Sequence, residues 1–312
     1  MPVKLMFSLL IRHCSTDVTS QLNFSSVSEL PVTGGIISDY FPGCLHNGAK
    51  VILKIPTRRG SAYSQRQGIL RAAHELYVWS RCNHPNILPL IGATIHRGSI
   101  TLVSPWMLQS NLHAWRQPNP LAGPDYLGIC VQIAEGLSYL HSVGILHGDV
   151  QGIKILMSDD MIPKFCDFGN AALLNPYEAL PFDNELQRRA TLRWAAPEIL
   201  MNAEKIRLTS ESDVYALGMT ILEAITGEFP WGMEPGLAIT ANIRAGIYPQ
   251  RPQIYFPLED EWANLTWDLL TQCWDQKPEN RPTASEVRDR LKDIIARTGG
   301  PSAVVSDSKS LR

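Results

Sequence analysis

His147-Gly148-Asp149-Val150-Gln151-Gly152-Ile153-Lys154 is followed, twelve residues beyond Lys154, by Cys166-Asp167-Phe168-Gly169-Asn170. Each landmark sets one carboxylate, Asp149 or Asp167, in a short segment beside a glycine, and their order decides how the rest of the chain is read. Upstream, residues 30–54 alternate apolar and polar side chains around Gly34-Gly35, Pro42-Gly43 and Asn47-Gly48, which predicts strands joined by tight turns. Residues 65–81 carry Ile69, Ala72, Ala73, Leu76 and Trp79 at the spacing of one helical face. His84-Pro85-Asn86 ends that helix, and strands are expected over 87–94 and 99–105. Beyond Ser110 the pattern turns helical, with Leu127, Cys130, Ala134, Leu137 and His141 on one face and Leu217, Ile221 and Ala224 on another. A small sheet-rich half thus precedes a larger helical half, with the two carboxylates at the junction.

The 312 residues are 45% hydrophobic, enough for the core of one two-lobed domain or of two closely coupled ones. With 28 Lys and Arg against 30 Asp and Glu and no basic run, neither nucleic acid nor an anionic membrane surface is indicated as a partner. Six cysteines show no CxxC pair and no zinc spacing, so reduced thiols and a cytoplasmic location are expected. The largely apolar run 5–11 falls well short of the roughly 20 residues of a membrane span, and no small-residue cleavage pattern follows it. Residues 1–29 are expected to form an extension with a short helix packed on the first lobe, 30–294 the main domain (lobes 30–104 and 108–294), and 295–312 a disordered tail.

Over residues 19–294 the chain resembles the eukaryotic protein kinases, in particular the tyrosine-kinase-like group of Ser/Thr kinases abundant in mushroom-forming fungi. Val51-Ile52-Leu53-Lys54 sits where that family has its strand lysine, Glu75 where a helix carboxylate pairs with it, and Ala196-Pro197-Glu198 where the activation segment ends. The resemblance implies an α+β fold of two lobes: an antiparallel sheet with one long helix, then a mainly α-helical lobe. It implies Asp149 as the catalytic base and Lys54 and Glu75 as the phosphate-orienting pair. Asp167 would be the magnesium ligand, with ATP held by Gly34, Gly35, Lys54, Pro105, Met107 and Leu156. Ser104-Pro105-Trp106-Met107 would be the hinge, Arg281 the partner of Glu198, and Asp213 the anchor of the catalytic-loop backbone.

Several positions depart from the family. Thr33, Gly35 and Ser38 fall at the three glycine positions of the phosphate loop, and each added Cβ restricts how closely backbone can approach phosphate; a bare strand turn is an equal reading. Tyr40 stands where a small valine covers the adenine and Ile52 where an alanine lies beneath it, so the two could fill the cavity, unless a shifted register turns Tyr40 outward. Gln151 replaces the lysine that meets the transferred phosphate. Lys154 replaces an asparagine that helps hold magnesium, which makes the metal doubtful and allows a Lys154–Asp167 pair in its place. Gly148 replaces the arginine that grips a phosphorylated activation segment, and residues 170–190 contain no Ser or Thr and one tyrosine, Tyr177.

Three functions remain open on the sequence. One is a kinase-like signalling protein with weakened or lost phosphotransfer, a pseudokinase serving as scaffold or allosteric partner. The second is an active Ser/Thr kinase acting on protein hydroxyls, and the third a binding module with no nucleotide site.

Overall fold

The computed structural model describes residues 2–34, 38–57, 61–118, 123–201 and 206–299. The first half builds α1 (Val3–His13), β1 (Leu22–Asn23), β2 (Thr33–Gly34), β3 (Ser38–Leu45), β4 (Lys50–Pro56), α2 (Ala62–Trp79), β5 (Gly92–His96) and β6 (Ser99–Pro105). The sheet is antiparallel, in the order β1-β3-β4-β6-β5, with β2 paired to β3. Alternation along the strands gives it two faces. Phe41, Leu45, Val51, Leu53, Ile55 and Val103 close over Val18 and Leu22 on one side. The opposite set, Tyr40, Ile52, Lys54 and Ser104, therefore shares the other face, with Tyr40 directly across from Lys54 and Ile52 across from Ser104.

The second half contains α3 (Leu112–Arg116), α4 (Leu127–Ser142), β7 (Ile145–Leu146), β8 (Ile155–Met157), β9 (Pro163–Phe165), β10 (Ala172–Leu173), α5 (Pro197–Met201), α6 (Ser210–Thr226), α7 (Gly236–Arg244), α8 (Glu261–Cys273) and α9 (Ala284–Thr298). The architecture is the two-lobed kinase fold implied by the sequence. Among the described residues no helix is long and apolar enough to cross a membrane.

Three boundaries differ from the sequence reading. The strand expected over 87–94 begins only at Gly92; Pro89 has no amide to give a ladder, and Ile87 and Leu88 instead dock on Phe165, whose carbonyl accepts from Leu88 N at 2.9 Å. The short helix expected in residues 1–29 is α1, packed on the lobe through the buried Met6, Phe7 and Leu10, but the boundary at 30 moves because β1 already belongs to the sheet. At the other end, residues expected to be tail continue α9 through Thr298, where Gly299 closes the helix in the left-handed region at φ 67°; residues 300–312 lie outside the described set.

α6 is the frame of the second lobe. A reciprocal Thr209–Ser212 cap starts it, Gly227 stops it, and nearly every residue between is buried. Two carboxylates project from this helix into the interior. Asp213 accepts from the backbone amides of His147 (2.8 Å) and Gly148 (2.9 Å), anchoring the loop as expected. Glu223 accepts from the Gly152 amide (2.9 Å) and the Trp194 indole (3.2 Å) and meets His113 Nδ1 at 3.0 Å. Nearby, the fully buried Arg281 guanidinium binds Glu198 through two bonds of 2.7 and 2.8 Å, and donates to the Glu211 and Asp275 carbonyls.

Arg281→Ala should lower the unfolding free energy by about 3 kcal/mol, the lower end of the cost of breaking a buried pair, because Glu198 retains some water; a variant as stable as the parent in urea denaturation would show the pair to be dispensable. Burial pushes the Glu223 carboxyl up from its ordinary 4.5 to about 7, against the lowering pull of Gly152 and Trp194. A carboxyl raised on folding binds more protons in the folded state, so its contribution is complete below 4.5 and lost as pH rises through about 7. Urea titrations of Glu223→Gln should accordingly show a smaller loss of stability between those two pH values than the parent.

Candidate functional site

The site lies where β4 and α2 face the two landmark segments. Lys54 on β4 places its ammonium 2.7 Å from both oxygens of Glu75 on α2. The same ammonium lies 2.5 Å from Oδ1 of Asp167. The other oxygen of Asp167 is taken by Lys154, whose ammonium also stands 3.8 Å from Asp149. The sequence alternative of a Lys154–Asp167 pair is the arrangement the structure shows. Burial opposes ionisation of Asp167, but Lys54 and Lys154 outweigh it and hold the carboxyl well below the usual carboxylate range. Burial likewise works against both ammonium groups, yet the carboxylates facing them raise each above the ordinary lysine value.

Magnesium, expected at Asp167, would meet two ammonium groups here. Both oxygens of Asp167 are engaged by cations, and the position that should lend a second neutral oxygen carries an ammonium, repelled from a divalent ion by several kcal/mol at an effective dielectric of about 20. Among the described residues no group of three or more His, Cys, Asp and Glu side chains is placed to hold a metal ion. Asp167 itself is left-handed, at φ 70°, and Phe168 behind it is fully buried, ringed by Trp79 of α2 (6.0 Å) and His147 (5.5 Å). An apolar stack thus holds α2, the Asp167 turn and the catalytic loop in one position.

Asp149 Oδ1 accepts from Gln151 Nε2 at 2.6 Å and from Thr191 Oγ1 at 2.8 Å. Gln151 is buried and also reaches Thr191 at 3.1 Å, so its amide steadies the carboxylate without bringing charge to it. Thr191 was missed in the sequence, where a lone threonine 42 residues downstream of Asp149 carries no local signal. Asn170 was missed too. Its amide donates to the Gly148 carbonyl (2.5 Å) and the Arg189 carbonyl (3.1 Å) and accepts from the Arg189 amide (2.9 Å), tying the following segment to the loop. Gly148 is fitted to that tie: at φ 71°, a Cβ would stand 2.4 Å from Leu208 and 2.8 Å from the Asn170 carbonyl. The missing arginine is therefore part of a substituted, neutral connection.

At the opposite end of the cleft, the register settles the orientation of Tyr40. Its ring shares the cleft face with Lys54, the ammonium 5.8 Å from the ring centroid, and burial pushes its hydroxyl up. Ile52 lies on the same face, opposite the buried Ser104. Pro105 ends β6 opposite Val51, the Trp106 amide donates to the Lys50 carbonyl at 3.1 Å, and Met107 packs half-buried against the core. Leu156, half-buried on β8, bridges to Asn111 across the cleft floor. Gly34 ends β2, paired with Asp39 of β3; Gly35, expected to cradle phosphate, lies outside the described residues.

A two-lobed fold with a lysine–glutamate pair above an Asp149 loop and an Asp167 turn defines the protein-kinase class. The chain belongs to the protein tyrosine and serine/threonine kinase family, which it matches over residues 33–291. It is 28% identical to the MAP kinase kinase kinase wis4 of Schizosaccharomyces pombe, over 90% of this chain and 20% of that protein. It is also 28% identical to the serine/threonine/tyrosine-protein kinase HT1 of Arabidopsis thaliana, over 76% of this chain and 57% of that protein. With the serine/threonine-protein kinase TNNI3K of Rattus norvegicus it shares 28% identity, over 82% of this chain and 30% of that protein. The chain spans between a fifth and somewhat over half the length of these relatives.

Because Tyr40 and Ile52 both face the cleft, Tyr40→Val with Ile52→Ala should open space for a flat ring at some cost in packing. Titration of a fluorescent ATP analogue should show tighter binding to the double variant than to the parent; equal affinity would mean that these side chains do not obstruct the cleft.

Proposed function

We propose that this protein is a kinase-fold signalling component in which phosphoryl transfer is weakened or lost, and which works as a scaffold or allosteric partner of another protein. The observation that carries this reading is Asp167 held between Lys54 and Lys154, so that an ammonium takes the place a magnesium ion needs. Nucleotide binding in such a cleft is weak and indifferent to magnesium, since Lys54 can meet phosphate oxygens directly while Lys154 keeps the metal away. By its motifs we assign the protein to the tyrosine-kinase-like group abundant in mushroom-forming fungi, and its six free thiols accord with a cytoplasmic location.

A second reading, a Ser/Thr kinase that transfers the γ-phosphate of ATP to protein hydroxyls, is favoured by the Asp149–Thr191 bond, by the formed Lys54–Glu75 pair and by the kinase names of the relatives. Here the Lys154 ammonium would supply charge in place of the second metal.

Thermal denaturation with ATP should shift equally in magnesium and in chelator, and radiolabelled autophosphorylation should match that of Asp149→Asn. A large magnesium-dependent shift with label lost in Asp149→Asn would establish the second reading. No shift with any nucleotide would leave a binding module alone.

A further inference from the structure

α1 and the residues just after it precede position 33, where the match to the kinase family begins, yet they are built into the first lobe. Met6, Phe7 and Leu10 fall on one face of the helix and are buried in the main core, where α1 lies against α2, β5 and β6. Leu5 and Leu9 are equally apolar but remain exposed, so fit rather than hydrophobicity alone selects the docked face. Beyond Cys14 the chain is fastened to β5, the edge of the sheet. Val18 N donates to the Ala93 carbonyl at 3.0 Å, Ala93 N donates to the Thr16 carbonyl at 2.9 Å, and the Thr19 and Thr94 hydroxyls meet at 2.8 Å. Gly92 permits this approach, since a Cβ there would stand 2.5 Å from the Thr16 carbonyl oxygen and 2.6 Å from Val18.

An 11-residue helix whose start lacks a side-chain cap does not persist by itself, since isolated helices shorter than about 12 to 15 residues are marginal in water; α1 is helical because it is docked. Its contacts join the same two bodies as the Lys54–Glu75 pair, the sheet and α2, without using a cleft residue. The two connections are unequal. Desolvation offsets most of the attraction within a buried ion pair, whereas the burial of apolar side chains is favourable throughout. Apolar packing therefore places α2, and the pair forms where that packing brings Glu75.

We propose that α1 is a brace acting in cis: with Met6, Phe7 and Leu10 docked on the surface shared by α2, β5 and β6, it sets the position of α2 and so whether Glu75 meets Lys54. That surface takes an amphipathic helix with apolar side chains at i, i+1 and i+4, and α1 is its occupant. Release of α1 lets α2 move off the sheet and parts Glu75 from Lys54. It also slackens the bonds by which α2 holds the segment after Asp167, from Gln67 to the Glu185 carbonyl (3.1 Å), Arg71 to the Gly169 carbonyl (3.1 Å) and Tyr77 to the Glu178 carbonyl (2.9 Å). This regulation does not depend on whether phosphate is transferred.

The test compares the full chain with a variant carrying Met6→Ser, Phe7→Ser and Leu10→Ser, by amide hydrogen exchange and by lysine acylation read by mass spectrometry. Exchange in α2 and in 171–188 should lose protection about tenfold or more, the equivalent of one buried apolar side chain, while α6 stays unchanged. Acylation of the buried Lys54 should rise, with the exposed Lys50 on the same strand as internal standard. Leu5→Ser with Leu9→Ser removes apolar surface from the outward face and should change neither readout. A synthetic peptide of residues 2–14 added to the triple variant should restore protection saturably, and the same peptide bearing the three substitutions should not. Unchanged exchange in α2, an equal loss in α6, unchanged acylation of Lys54 or no difference between the two peptides overturns the brace. Should the triple variant fail to fold, Phe7→Ala is read by the same measurements against the same outcomes.

Discussion

One carboxylate between two ammonium groups organises the cleft. Asp167 is the point at which β4, α2 and the catalytic loop are electrostatically joined, through Lys54 on one oxygen and Lys154 on the other. Removing either cation would leave a half-buried carboxylate facing one partner, and bringing in a divalent ion would set it against an ammonium. The cleft is therefore closed upon itself in charge, and the positions of Lys54, Glu75 and Asp149 follow from that closure.

The other departures from the family have found partners in the same way. Gln151 fills its place by bonding Asp149 and Thr191, and Asn170 joins the loop to the following segment where Gly148 leaves no room for a side chain. These bonds are neutral or internally balanced, and they tie the loop to the segment that follows it. Beneath it, α6 supplies a rigid floor. Its two buried carboxylates hold backbone amides at 147, 148 and 152, which fixes the loop independently of what the side chains above it do.

Much of the architecture was legible because it depends on local rules. The apolar stripe of α2 and the strand 99–105 follow from periodicity, and the pairing of Arg281 with Glu198 was implied by the family resemblance that the order of the motifs carries. Where local rules competed, boundaries moved. Pro89 broke an apolar run that otherwise reads as strand, and a capped, amphipathic α9 continued into residues that composition alone assigns to a tail.

The sequence by itself determined the family, the lobes and the identity of the residues at the cleft, since these are encoded in order, spacing and side-chain type. Only the tertiary structure decided which way Tyr40 faces, that Lys154 lies on Asp167, and that His74 is buried against the Ala171 carbonyl and Asp183. Each of these is a relation between segments far apart in the chain. A strand register of one residue reverses a side chain's face, and a charge is free or paired according to what the fold brings within a few ångströms of it.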